Sequence, residues 1–179
     1  MDTEKGKRKG LVIVHTGKGK GKTTSALGMA MRAAGHGMHA LMIQFIKGKW
    51  RTGELRAAEK LAPYFELRPV GKGFVWKPDT FEEDVQAARE AWSEARQAVL
   101  SGEYDMVILD EINCVVDCKL LPMEEVLSLI REKPADMHLV LTGRNAYPQV
   151  IEAADLVTEM IEVKHPFQGG VKAQRGIEF

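Results

Sequence analysis

A glycine-rich decapeptide, HTGKGKGKTT at residues 15–24, limits the folds open to this chain more than any other feature. It follows an apolar run, LVIVH, and leads at Lys22 into a pattern with helical spacing. A strand, a glycine-rich turn and a helix in this order place backbone N–H groups around an anion at the positive end of the helix dipole. We therefore predict a phosphate-binding loop. The alternative is a solvated lysine-rich turn, which the flanking strand and helix disfavour.

The predicted loop is shorter than the common phosphate-loop pattern. In G-x-x-x-x-G-K-[ST] the first position would fall on Thr16, and Gly17 leaves only three residues before Gly21. We predict that Lys22 places a positive charge on the phosphates and that the Thr23 hydroxyl binds Mg²⁺ or Mn²⁺. The predicted nucleotide-binding residues of the loop are Gly17, Lys18, Gly19, Lys20, Gly21, Lys22, Thr23 and Thr24.

Apolar, β-branched runs alternate with helical patterns along the rest of the chain. Nearly continuous apolar character is typical of strands covered on both faces, as in parallel sheets. We predict an α/β fold of the P-loop NTPase-like (RecA-like) type, a three-layer sandwich with a mainly parallel central sheet of about six strands. The predicted strands are 11–15, 39–45, 64–70, 106–110, 138–143 and 156–163, and the predicted helices are 22–34, one from Thr80 to near Gly102, and 122–133.

Length and charge narrow the function classes. A chain of 179 residues is about one domain long, and we predict a single domain at residues 11–179 after a short basic tail at residues 1–10. Lysine and arginine balance aspartate and glutamate at 25 each, so no overall positive field favours a nucleic acid as partner. We find no apolar run of signal-peptide or membrane-span type. We expect a cytoplasmic protein with no nucleic-acid or membrane partner.

An acidic pair supports the prediction of a nucleotide site. In YDMVILDEIN, Asp110 and Glu111 directly follow an apolar strand, the position from which an acidic residue reaches the metal in many phosphate-loop proteins. The alternative is a pair of acids that cap the following turn. In an ATPase one carboxylate would position a water molecule, whereas in another enzyme both would serve only the metal and its surroundings.

Two aromatic residues occur in a loop-like stretch, GKGFVWKP. Phe74 and Trp76 lie two apart between a glycine and a proline, so their rings face the same way if the segment is extended. Taken alone, this pattern favours packing on the sheet edge over a platform for a flat ligand.

Other polar residues lie near the C-terminus. Arg144 directly follows a predicted strand and is a predicted nucleotide ligand. The tail VKHPFQGGVKAQRGIEF combines cations and glycines, and it either closes over a polyphosphate or frays. Cys114 and Cys118 lack the C-x-x-C spacing and are predicted to be buried, reduced thiols. The remaining histidines show no metal-ligand grouping and are predicted to be structural or surface residues: His15, His36, His39 and His138.

The combined motifs resemble the ATP:corrinoid adenosyltransferases of the CobA, BtuR and CobO type. The similarity extends through HTGKGKGKTT, IQFIKGKWRTGE, GKGFVWKPDT, VILDEIN and LTGRNAYP to VKHPFQGGVKAQRGIEF. A phosphate loop alone is a weak marker. Its contracted form, together with F-x-W, the acidic strand end and the tail, is specific.

The resemblance implies a particular reaction. ATP would lie reversed in the shortened loop, so that cobalt in its lowest oxidation state attacks the ribose 5′-carbon and tripolyphosphate leaves. Lys22 would act in catalysis, with Thr23 and Glu111 as ligands of the metal ion and Asp110 in support. Phe74 and Trp76 would cover the lower face of the corrin and exclude its axial ligand, which makes the cobalt easier to reduce. The resemblance also implies a homodimer and an external reductant such as a reduced flavin or flavodoxin.

Two rival functions remain at this stage. The first is a phosphate-loop ATPase or small-molecule kinase, which would produce ADP. The second is a nucleotide-binding module of the RecA-like kind that associates with nucleic acid, and the balanced charge disfavours it.

Overall fold

The fold is built on a fully parallel sheet. A computed structural model describes residues 9–48, 52–71, 73 and 81–178. Within these ranges six strands pair in the order β3-β2-β4-β5-β1-β6, every pair parallel. The strands are β1 Val12–Thr16, β2 Ala40–Gln44, β3 Phe65–Pro69, β4 Met106–Asp110, β5 His138–Thr142 and β6 Leu156–Glu159.

Helices cover both faces of this sheet. They are α1 Lys22–Gly35, α2 Gly53–Leu61, α3 Phe81–Leu100, α4 Ile112–Asp117, α5 Met123–Glu132 and α6 Pro148–Glu152, followed by a 3₁₀ turn at Pro166–Gly169. Residues of α1 and α2 pack with Ile13, Met42 and Ile108 on one face. Residues of the other α-helices pack with Val14 and Leu109 on the opposite face. The predicted three-layer α/β architecture is confirmed.

Strand burial explains why the apolar runs were readable. All five residues of β1, β2 and β4 are buried, as expected for strands covered on both faces. The edge strand β6 is exposed along its whole length. It also ends at Glu159, earlier than predicted, because the Met160 carbonyl accepts a hydrogen bond from the Gly19 N–H, 2.7 Å away, instead of continuing the sheet.

The predicted helices are confirmed with small shifts at their ends. The helix α1 ends at Gly35, and α5 begins at Met123. Thr80, the predicted cap of α3, lies outside the described residues, as do residues 1–8 of the predicted basic tail. The short helices α2, α4 and α6 were missed. In the described ranges no helix has the length and apolar character that a membrane crossing requires.

The strand order determines where the site forms. The strand β5 lies between β1, which precedes the phosphate loop, and β4, which ends in Asp110. The register pairs His15 with Thr142, and Gln44 with Asp110. Because the carboxyl ends of parallel strands share one edge, the polar residues that end β1, β2, β4 and β5 lie together there.

Candidate nucleotide site

The predicted phosphate loop, residues 15–24, is held against the segment that follows β6. Gly17 and Gly21 have φ values of 95° and 110°, which favour glycine. A Cβ atom on Gly17 would lie 2.4 Å from the Met160 carbonyl oxygen, and one on Gly19 would lie 2.8 Å from the Ile161 carbonyl carbon. Glycines at these two positions therefore let the loop approach another backbone closely.

Lys22 begins α1 directly after the loop and is 7% exposed. Its ammonium donates hydrogen bonds to the carbonyl oxygens of Gly17, at 2.9 Å, and Gly19, at 2.7 Å. Burial lowers the pKa of Lys22, while the carboxylate of Glu111 acts in the opposite direction. The charge is thus held within the loop, next to the backbone N–H groups that a phosphate would meet.

Asp110 lies beneath the loop and is completely buried. Its Oδ1 accepts hydrogen bonds from the hydroxyls of Thr23, at 2.8 Å, and Thr142, at 2.7 Å. Its Oδ2 accepts a hydrogen bond from the Gln44 side-chain amide at 3.2 Å. Burial raises the pKa of Asp110, and the hydrogen bond from Thr142 partly offsets that rise. Asp110 therefore fixes the orientation of Thr23.

Glu111, the next residue, has a left-handed backbone conformation with φ 66°. Its N–H donates to the Thr142 hydroxyl at 2.9 Å, and its Oε2 accepts a hydrogen bond from the Cys114 thiol at 2.8 Å. Non-glycine residues in this conformation store strain and often occur at functional sites. Both the backbone and the side chain of Glu111 are thus fixed.

A cavity of about 480 Å³ opens above the loop. Of the predicted ligands, it is lined by Lys18, Gly19, Lys20, Gly21, Lys22, Thr23, Thr24, Glu111 and Arg144. Gly17 lines a second cavity of about 520 Å³ on the other side of the loop, and Asp110 lies beneath the surface. Phe74 and Trp76 lie outside the described residues.

Comparison with known proteins identifies the family. The family model of the ATP:corrinoid adenosyltransferases BtuR, CobO and CobP matches residues 8–179. The chain belongs to this family.

Individual relatives agree over most of their length. A corrinoid adenosyltransferase from Sinorhizobium sp. is 46% identical over 96% of this chain and 81% of the relative. Corrinoid adenosyltransferases from Pseudomonas aeruginosa and Escherichia coli K12 are 43% and 42% identical, each over 96% of this chain and over 84% and 86% of the relative. All three relatives are named as transferases that act on corrinoids.

Several site residues of this adenosyltransferase family member were missed from the sequence. Lys47 and Glu54 form an ion pair of 2.6 Å, and both line the cavity. Gln44 and Thr142 bind Asp110 from neighbouring strands. A polar residue at the end of an otherwise apolar strand was the signal that could have found the last two.

The C-terminal tail folds back over the loop. Glu178 forms an ion pair of 3.2 Å with Lys20, and the tail residues that line the cavity are His165, Gly176, Ile177 and Glu178, together with Glu162 just before the tail. The predicted tail cations Lys164, Lys172 and Arg175 do not line it. The tail therefore reaches the site chiefly through acidic and apolar residues.

The two thiols are free, as predicted, but the prediction that they are fully buried was wrong. Cys114 and Cys118 are both half-buried and free of disulfide bonds. Burial, reinforced by Glu111, raises the pKa of Cys114 to about 12, and burial raises that of Cys118 to about 11. Both belong to the short helix α4 or its C-terminal cap, which the sequence pattern did not predict, and α4 begins at the edge of the site.

The donor set fits a hard divalent cation that also binds phosphate. Thr23 and Glu111 bring a hydroxyl and a carboxylate to one cavity, and Mg²⁺ prefers such oxygen ligands together with substrate phosphates. The described part of the chain contains no group of three or more His, Cys, Asp or Glu side chains able to hold a metal ion.

Proposed function

We propose that this protein transfers the 5′-deoxyadenosyl group of ATP to the cobalt of a reduced corrinoid, in the biosynthesis or salvage of adenosylcobalamin. The match of residues 8–179 to the corrinoid adenosyltransferase family carries this proposal. The cavity above the phosphate loop supports it, because it gathers the loop, Lys22 and Arg144 around a space of about 480 Å³.

The proposed reaction is a substitution at carbon. Cobalt in the Co(I) state supplies the electron pair of the new bond to the 5′-carbon. The bond from that carbon to the triphosphate oxygen breaks, and tripolyphosphate leaves with the electron pair of the broken bond. Such a nucleophile needs no protein base to activate it. The protein must instead stabilise charge that grows on the departing triphosphate, and preorganised backbone N–H groups and the Lys22 ammonium suit this role.

We infer that Thr23 and Glu111 hold Mg²⁺ or Mn²⁺. The Thr23 hydroxyl donates a hydrogen bond to Asp110, so the lone pairs of the hydroxyl oxygen remain available for a cation. When bound, the ion would neutralise part of the triphosphate charge and so favour its departure. Asp110 would act through Thr23, since hydroxyl and amide donors already occupy its oxygens.

We also propose that Phe74 and Trp76 occupy the lower face of the corrin. This role rests on the family motif alone. Phe74→Ala and Trp76→Ala should leave ATP binding unchanged and lower turnover from the oxidised corrinoid under limiting reductant. Unchanged turnover would refute the role. The electron donor would be external, such as a reduced flavin or flavodoxin.

A homodimer and a cytoplasmic location stay predictions. Apolar side chains exposed on and after β6, among them Val157, Ile161 and Val163, support a subunit contact. Sedimentation analysis at micromolar concentration would measure the oligomeric state.

An anaerobic assay tests the reaction itself. The protein is mixed with Mg-ATP and chemically reduced cob(I)alamin, the corrinoid spectrum is followed, and the phosphate product is identified. We expect a light-sensitive alkylcobalt species and tripolyphosphate in equal amounts. Conversion of ATP to ADP without a cobalt–carbon bond would show a phosphoryl-transfer or hydrolysis enzyme instead.

A further inference from the structure

The side chain of Glu111 accepts a hydrogen bond that the family motif does not explain. Cys114 lies one helical turn later, in the first turn of α4. Its thiol donates to the Glu111 Oε2 at 2.8 Å, and its sulfur accepts a hydrogen bond from the Arg144 backbone N–H at 3.2 Å. One sulfur atom therefore connects two cavity-lining residues that follow different strands.

The contact with the Cys114 thiol fixes the orientation of the Glu111 carboxylate, which the backbone conformation alone does not fix. The left-handed φ of 66° and the hydrogen bond to Thr142 set the direction in which the Glu111 side chain leaves the backbone. The carboxylate itself lies beyond further rotatable bonds. The thiol engages one carboxylate oxygen, Oε2, and no side chain or backbone group of the described residues forms a hydrogen bond to the other oxygen, Oε1.

The thiol also contacts the peptide that positions Arg144. Gly143 precedes it with φ 129°, and a Cβ atom there would lie 3.0 Å from the Cys114 backbone nitrogen. The turn after β5 thus packs directly on the start of α4. A substitution of Cys114 therefore affects both the Glu111 carboxylate and the backbone of Arg144.

We propose that Cys114 is a positioning residue that orients Glu111 toward the metal ion of bound Mg-ATP. The inference rests on the proposed role of Glu111. Groups that hydrogen-bond to metal ligands typically contribute about 10- to 100-fold to metal affinity. Because a thiol is a weak donor, we expect the effect of Cys114 to be about threefold to tenfold.

The test measures ATP binding by calorimetry, with no corrinoid present, once in saturating Mg²⁺ and once in EDTA. Cys114→Ala should weaken binding of Mg-ATP by about threefold to tenfold and leave binding of metal-free ATP nearly unchanged. Cys114→Ser should restore part of the preference for Mg-ATP, since a hydroxyl also donates. Melting temperatures of the variants check that each is folded.

Cys118→Ala is the matched control. Cys118 is the other half-buried thiol, caps the same helix, and in the described ranges forms no hydrogen bond to Glu111 or Arg144 through its sulfur. It should bind both forms of ATP as the unmodified protein does.

Glu111→Gln separates failure of this inference from failure of the metal assignment. Loss of the Mg-ATP preference in Glu111→Gln but not in Cys114→Ala would overturn the role of Cys114 alone. An unchanged preference in Glu111→Gln would overturn both. Equal losses of Mg-ATP and metal-free ATP binding in Cys114→Ala would show a role in holding the Arg144 turn and would also overturn the proposal.

Discussion

The Thr142 hydroxyl joins the ends of the two neighbouring strands β4 and β5, and replacing it tests the description of the site. Thr142 is completely buried, donates to Asp110 and accepts from the Glu111 N–H. Thr142→Val keeps the shape of the side chain, so no cavity forms, but it removes both hydrogen bonds.

The expected loss follows from those two bonds. A hydrogen bond to a charged group contributes about 1.5–3 kcal/mol, and an unsatisfied buried donor costs about 1–3 kcal/mol. The N–H of Glu111 is only partly buried and the two effects share one hydroxyl, so their sum overstates the loss. We expect Thr142→Val to lower the free energy of unfolding by about 3 kcal/mol, which for a domain of this size lowers the melting temperature by about 6–12 °C.

Urea unfolding of the protein without nucleotide or metal measures this difference. Thr142→Ser keeps the hydroxyl and loses only a methyl group, so it should cost about 1 kcal/mol. Thr158→Val makes the same exchange at an exposed position of β6 and should change the free energy of unfolding by less than about 0.5 kcal/mol. A loss below about 1 kcal/mol for Thr142→Val, or an equal loss for Thr142→Ser, would refute the reasoning.

Three further predictions concern the loop and its surroundings. Gly19→Ala should lower the free energy of unfolding by about 1–3 kcal/mol, because its Cβ would meet the backbone of residues 160–161 at 2.8 Å. Gly28→Ala lies in α1 with open space around it and should raise the free energy of unfolding by about 0.5–1 kcal/mol. Urea unfolding measures both values, and an unchanged stability of Gly19→Ala would contradict the described packing of the loop. Lys22→Met should weaken ATP binding by about 10- to 100-fold, as expected for the loss of a charge-assisted hydrogen bond of about 1.5–3 kcal/mol. Calorimetry measures the affinity for ATP, and an unchanged affinity would contradict the proposed role of Lys22. Burial lowers the pKa of His15 below 6.5, so as the pH falls the unfolded chain binds a proton at His15 before the folded chain does. The free energy of unfolding should therefore fall as the pH drops below about 6.5. His15→Gln should flatten that part of the curve of stability against pH, and an unaltered slope would refute the role of His15.

The residues of the site differ in how far the sequence could predict them. Spacing alone identified Lys22 and Thr23, because a strand, a glycine loop and a helix specify where their side chains go. It also found the acidic pair, but not which acid lines the cavity. Adjacent residues at a strand end point in different directions, and Glu111 further adopts a left-handed backbone, so Asp110 lies beneath the loop while Glu111 lines the cavity.

Side-chain partners that are set by strand register could not be predicted from the sequence. Thr142 meets Asp110 across 32 positions of chain only because β4 pairs with β5. Lys47 lies in a loop and Glu54 in the nine-residue helix α2, and the fold brings the two side chains together. The apolar runs, by contrast, predicted every strand, because burial on both faces leaves little choice of residue in β1, β2 and β4.

The position of β1 within the sheet has a consequence for synthesis of the chain. Among the described strands of this sheet, β1 is the first in chain order, and it pairs with β5 and β6, the last two. Until residues 138–142 emerge, β1 has neither neighbour, although β2, β3 and β4 can already pair with one another. Contacts so distant along the chain form slowly and late. A ligand of the predicted phosphate loop therefore cannot assist the early stages of folding, since the loop is assembled only when the sheet is nearly complete, and the apolar β1 has no strand partner until then.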